Sequence, residues 1–190
     1  MTRTGSRKFP DQLYCGGTLN LEMMTPVGND GGSEKPNGGL WTSTYNPKNP
    51  HTPSDWVRWC VSQDFGITAY CNIIEIKPSA RIYTIDKYDD LKKLGERFPH
   101  PVTRRRVGGG VRRFVNWVKI SKVYDAVHLT HRGVGATLSG WGDERELSFG
   151  GWDVESTVWF RDVFESVVPL KLDIKMLHKL CREQNQYGIH

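Results

Sequence analysis

No apolar run in this 190-residue chain approaches the ~18 residues that a membrane helix needs. The opening residues MTRTGSRKF also lack the apolar core of a secretory signal. Both absences lead to the expectation of a soluble, cytoplasmic protein without a membrane partner. The four cysteines (Cys15, Cys60, Cys71, Cys181) contain no C-x-x-C pair, and the six histidines show no ligand spacing. Reduced, packed thiols and no metal site are therefore expected. Also missing are a G-x-x-x-x-G-K-[ST] phosphate loop, an H-E-x-x-H zinc helix and a serine nucleophile elbow. Gly108-Gly109-Gly110 has neither a preceding strand nor G-x-G-x-x-G spacing, so it fails as a dinucleotide fingerprint.

What is present reads as one globular domain spanning 1–190, with residues 1–9 a flexible end. Hydrophobic residues make up 37%, aromatics 11% and charged residues 25%. The net charge of +5 is matched by five arginines in one segment, Thr103 to Arg113 (TRRRVGGGVRR), which holds no acid. Clustered guanidinium groups suit phosphate; a solvated loop paired with nearby acids fits the same letters.

Along the chain, Gln12 to Leu21 reads as a strand interrupted by Gly16-Gly17, and Thr25 to Gly39 as a loop. Leu40 to Tyr45 reads as a second strand. Thr52-Pro53-Ser54-Asp55 carries a helix-start signature, with Trp56, Trp59 and Cys60 on one buried face. Ile67 to Lys77 and Ala80 to Ile85 read as strands. Asp86 is expected to cap a second helix, and Val111, Phe114, Val115 and Val118 predict a third by their i, i+3, i+4, i+7 spacing. Val123 to Thr130 reads as a strand and His131 to Trp152 as a long glycine-rich loop. Glu155 to Arg161 and Val163 to Pro169 read as further strands, and Asp173 to Glu183 as a last helix. Strands mixed with short helices, without βαβ alternation, predict an α+β fold with a mostly antiparallel, split sheet.

Three stretches could carry chemistry. In Gly38-Gly39-Leu40-Trp41-Thr42-Ser43, paired glycines permit close approach, Trp41 offers a π-face and the hydroxyls follow. The same letters also suit a turn into an edge strand with a core Trp. Leu13-Tyr14-Cys15-Gly16-Gly17-Thr18 lies upstream. Gly151-Trp152-Asp153-Val154-Glu155-Ser156 puts a carboxylate at the mouth of an apolar strand, a place where an ordinary edge acid is also common.

In this order the three stretches resemble the ADP-ribosyltransferase superfamily, over about Leu13 to Pro169. LYCGGT looks like the aromatic-His/Arg-Gly-Ser/Thr element of its first strand. GGLWTS, leading to SDWVRWC, looks like its Gly-x-aromatic-x-Ser element, and WDVESTVWF like its late-strand Glu element. VYDAVHLT is similar to the strand before the family's recognition loop. The resemblance implies a split-sheet fold and NAD as substrate. It implies Glu155 as the catalytic carboxylate and Tyr14, Cys15, Gly16, Gly39, Trp41, Thr42 and Ser43 as the NAD site. Acceptor recognition would fall to Trp141, Trp152 and Asp153, joined by Arg104, Arg105 and Arg106. Cys15 stands where the family has His or Arg; Arg81 or an arginine of 104–113 could substitute. The activity implied is mono-ADP-ribosylation of a macromolecule, RNA or DNA favoured over protein. A toxin or phage-defence role would add an antitoxin or inhibitor protein as partner. Two other readings are a non-catalytic basic nucleic-acid-binding domain and an NAD-hydrolysing toxin.

Overall fold

The structure, a computed structural model, describes residues 8–29, 34–63, 65–105, 110–138 and 145–179. In chain order the strands are β1 (Gln12–Tyr14), β2 (Leu40–Thr44), β3 (Tyr70–Ile76), β4 (Ile82–Ile85), β5 (Arg104–Arg105), β6 (Val111–Arg112), β7 (Ala126–Leu129), β8 (Ser156–Trp159) and β9 (Phe164–Lys171). The helices are α1 (Asp55–Ser62), α2 (Tyr88–Arg97), α3 (Trp117–Val123) and α4 (His131–Thr137), with a 3₁₀ turn at Leu21–Met23. Residues 174–179 are also helical. The fold is mixed α+β, with mostly antiparallel strands and short helices; β4 and β7 pair in parallel. No helix among the described residues is long and apolar enough to cross a membrane.

The chain divides into two compact units interleaved in sequence. The first comprises Met1–Asn20, Thr42–Ala80 and Asp162–His190, and the second Leu21–Trp41 and Arg81–Arg161. In the first, β1 lies between Thr42–Thr44 of β2 and β3, and β3 pairs with β9 on its other side. Its core gathers Leu13, Val57, Val61, Cys71, Leu172 and Leu177. Strand β1 ends at Tyr14, before the glycine pair that was expected to interrupt it. Lys8, expected in a flexible end, is ion-paired with Glu75; residues 1–7 lie outside the described ones.

Helix α1 starts two residues later than its Thr52-Pro53 signature predicts. Ser54 is the N-cap, its Oγ accepting from the Val57 N–H at 3.3 Å. The buried face is Val57, Cys60 and Val61, because that row points into the unit's core. Trp56 and Trp59 are half-buried instead and stack on each other at 5.2 Å beside the exposed Phe65.

In the second unit, β7 lies between β4 and β8. Both β7 and β8 are buried along their whole length, as AVHL and STVW would require to lie inside a sheet covered on both faces. The core joins Ile85, Leu91, Leu94, Trp117, Ile120, Val127, Leu129, Phe149, Trp152 and Val158. Three sequence expectations are corrected here. Asp86 does not cap α2: the Asp90 carboxylate accepts from the N–H groups of Asp86 and Lys87, while Asp86 takes a bond from Thr130. No helix covers 111–116. Val111–Arg112 is a strand paired with Arg104–Arg105, Val115 bridges Pro99, and α3 begins only after Asn116, whose side chain accepts from the Lys119 N–H. The segment read as one long loop opens instead with α4, capped by Thr130 Oγ1 accepting from the Gly133 N–H at 3.0 Å. The last helix is described to residue 179, and the rest of its expected span lies outside the described residues.

Candidate functional site

The second unit brings Gly39, Trp41, Trp152, Asp153 and Glu155 into its fold. Gly39 adopts φ +74°, and a Cβ there would lie 2.8 Å from Val158 Cγ2 and 2.9 Å from the Trp159 carbonyl. Only glycine suits both demands. The bulky neighbour that this glycine admits is thus the chain's own strand β8, and its N–H is taken by the Thr25 carbonyl at 2.9 Å. Trp41 follows two residues later, half-buried, with its ring edge-on to Trp152 at a centroid distance of 4.7 Å. Lys35 Nζ lies over the Trp41 ring, 5.6 Å from its centroid, and 3.7 Å from Asp153 Oδ2. Both partners of that ion pair are exposed enough for its stabilisation to be small.

Trp152, expected to recognise an acceptor, is core instead. It is 1% exposed and stacks on Phe149 at 5.1 Å and on Trp117 at 6.1 Å. An indole this buried offers no surface to a macromolecule. Its N–H donates to the Glu34 carbonyl at 3.4 Å, which satisfies the one polar atom of the ring.

Glu155 immediately precedes β8 and is only 6% exposed. Its Oε1 is 3.4 Å from Nδ1 of His128, and the same Nδ1 is 2.9 Å from Thr157 Oγ1. The register explains the meeting: His128 is the direct cross-strand partner of Thr157, and Glu155 is two residues from Thr157 on the same side of the chain. His128 was not singled out in the sequence. Its signal was a titratable residue embedded in the apolar run AVHL, and its partner on the neighbouring strand could not be read from that run.

Burial lowers the His128 imidazole to about 4 from its ordinary 6.5, so it is neutral near pH 7 and its contact with Glu155 is not an ion pair there. The unfolded chain therefore takes up this proton first as pH falls. The folded state loses nothing above pH 6.5, loses stability between 6.5 and about 4, and levels off below, for a total of about 3 kcal/mol. Denaturant unfolding at pH 7.5 and pH 5 checks this. Between those pH values the wild type is expected to lose about 2 kcal/mol more than His128→Asn. Equal losses in the two proteins would contradict the reading.

The remaining expected site residues belong to the first unit. Thr42 is buried and donates to Gln12 Oε1 at 2.8 Å; Ser43 is buried and accepts from the Trp56 N–H at 3.4 Å. Ser43 thus ties β2 to the first turn of α1. Tyr14 is half-buried opposite Asn72 on β3, and its ring covers Gly16. Cys15 faces Cys71, the sulfurs 2.8 Å apart. Their shared hydrogen bond pushes the Cys15 thiol up, as burial also does, and pulls Cys71 down.

The basic segment is partly neutralised. Arg112 pairs with Glu34 at 2.8 Å and also bonds Ser148, whose hydroxyl donates to Glu34. Arg113 pairs with Glu146 at 2.9 Å. Arg104 lies 5.8 Å over the Phe114 ring, and both Arg104 and Arg105 are exposed on the β5–β6 hairpin. Arg106 and Trp141 lie outside the described residues. Arg81, the candidate substitute for the family's His or Arg, is bound to Asp125 through Nη2 at 2.9 Å and Nε at 3.2 Å. Arg161 joins the same carboxylate at 3.3 Å.

No protein-family model matches the sequence, and comparison with curated proteins and with solved structures gave no significant match.

Proposed function

We propose that this chain is an ADP-ribosyltransferase that moves ADP-ribose from NAD to a macromolecular acceptor. The observation that carries the reading is that one unit holds both a nine-tenths buried carboxylate, Glu155, and an indole, Trp41, whose face already takes a cation. The nicotinamide ring of NAD is a flat cation, and a Trp face that attracts the Lys35 ammonium suits it for the same electrostatic reason.

When the bond between nicotinamide N1 and ribose C1′ breaks, its electron pair leaves with nicotinamide and positive charge develops on the sugar. The charge problem is the one glycosidases meet. A carboxylate held at Glu155, away from water, would stabilise that charge more strongly than an exposed one. The acceptor nucleophile then forms the new bond to C1′ and gives up its proton. Cys15 would not replace the family's His or Arg, because its thiol is engaged with Cys71. Arg81 is likewise committed to Asp125. Ion pairing of Arg112 and Arg113 lowers the charge available to a phosphate backbone, which brings a protein acceptor level with nucleic acid.

Incubation with NAD labelled in the adenylate moiety, beside separate pools of RNA, DNA and protein, tests the reading. Label is expected in one pool, together with released nicotinamide. Absence of both label and nicotinamide across a range of pH and salt would contradict it. Nicotinamide released without any labelled acceptor would make the protein an NAD hydrolase.

A further inference from the structure

We infer that His128 is a positioning residue for Glu155, donating from Nδ1–H to hold the carboxylate in one orientation at the head of β8. As a role in catalysis, this rests on the function proposed above. The contact itself stands on geometry alone. Nδ1 is 3.4 Å from Glu155 Oε1 and 2.9 Å from Thr157 Oγ1, and all three side chains are buried.

The tautomer follows from electrostatics. An unprotonated Nδ1 would turn its lone pair toward the carboxylate, whereas a proton there makes the contact attractive. The imidazole is neutral at physiological pH because of its burial, and its single proton, placed on Nδ1, makes the contact with the carboxylate attractive. Thr157 Oγ1, 2.9 Å from the same nitrogen, steers the ring. Both partners come from fully buried strands in fixed register, His128 opposite Thr157, which restricts the ring more than a loop would. Glu155 lies one residue outside β8, and His128 reaches its carboxylate from the neighbouring strand.

Two substitutions separate donation from packing. His128→Asn places an amide N–H near the position of Nδ1, whereas His128→Leu keeps the bulk and removes the donor. A hydrogen bond to a charged group of this kind corresponds to a loss of roughly 10- to 100-fold. His128→Leu is expected to lower kcat for nicotinamide release by that factor, with KM for NAD within about twofold and with the fold retained. His128→Asn is expected to recover most of the loss. Equal kcat in His128→Leu and wild type would overturn the inference, and so would equal impairment in both folded variants.

Imidazole ¹⁵N spectra of the full chain keep this outcome distinct from failure of the proposed function. If the wild type releases no nicotinamide, the enzyme reading falls and the spectra alone decide the contact. A protonated Nδ1 whose signal shifts in Glu155→Gln supports it. A ring protonated on Nε2, or a signal indifferent to Glu155→Gln, overturns it.

Discussion

Replacing Glu155 by Gln is expected to lower nicotinamide release from NAD by about 10²- to 10³-fold, the scale at which one preorganised electrostatic group acts on a developing charge. The substitution keeps the shape of the side chain and leaves an oxygen that can accept from His128 Nδ1–H, 3.4 Å away in the native pair. Folding should therefore survive, with a melting temperature close to that of the wild type. On the proposed function, what disappears is the negative charge, and with it the stabilisation of positive charge on the sugar. Because that charge develops mainly in the transition state, the loss should fall on kcat rather than on KM. Initial rates of nicotinamide release across NAD concentrations measure the two separately. A Glu155→Gln protein with wild-type kcat would remove Glu155 from the chemistry.

Trp152→Ala is expected to be strongly destabilising, costing about 3–5 kcal/mol. The indole is 1% exposed, stacks on Phe149 and Trp117, and buttresses the edge of Trp41. Losses of this size are a large part of the total stability of an ordinary domain, about 5–15 kcal/mol. They correspond to a fall in melting temperature of roughly 6–20 °C for a chain of this length. Thermal unfolding of the two proteins checks it. A fall of under about 2 °C would mean that the ring is not core, and would return Trp152 to the surface role that its place before Glu155 suggested.

The parts of the fold legible in the sequence are those where local signals and burial agree. Ile67 to Lys77 contains β3, Val123 to Thr130 contains β7, and Leu40 to Tyr45 contains β2, each with a β-rich composition. The third helix was misread because Phe114 and Val115 are buried from extended chain, which imitates helical spacing without a helix. The true start was marked by Asn116, a capping residue hidden inside an apparently continuous apolar stripe. Helix α4 was missed because HRGVGAT has two glycines and little helix propensity. Gly133 is there for a tertiary reason: a Cβ would lie 2.2 Å from the Ile85 carbonyl. Such a neighbour cannot be read from local sequence.

The candidate site was legible to the same extent. Trp41 and Glu155 could be named from their motifs, but the meeting of Glu155 with His128 depends on which strand lies beside β8, and no local pattern specifies that. Trp152 shows the opposite error. Its nearness in sequence to Glu155 suggested function, whereas the side chain turns into the aromatic core. The arginine cluster also changes meaning once partners are visible, because Glu34 and Glu146 are far from it in sequence and take up two of its charges.

The most direct test of the central claim is a crystal structure of the Glu155→Gln protein soaked with NAD, the substitution slowing turnover. The account predicts nicotinamide against the Trp41 face, in place of the Lys35 ammonium, with the ribose turned toward residue 155. NAD bound elsewhere, or no NAD density at millimolar concentration, would contradict it.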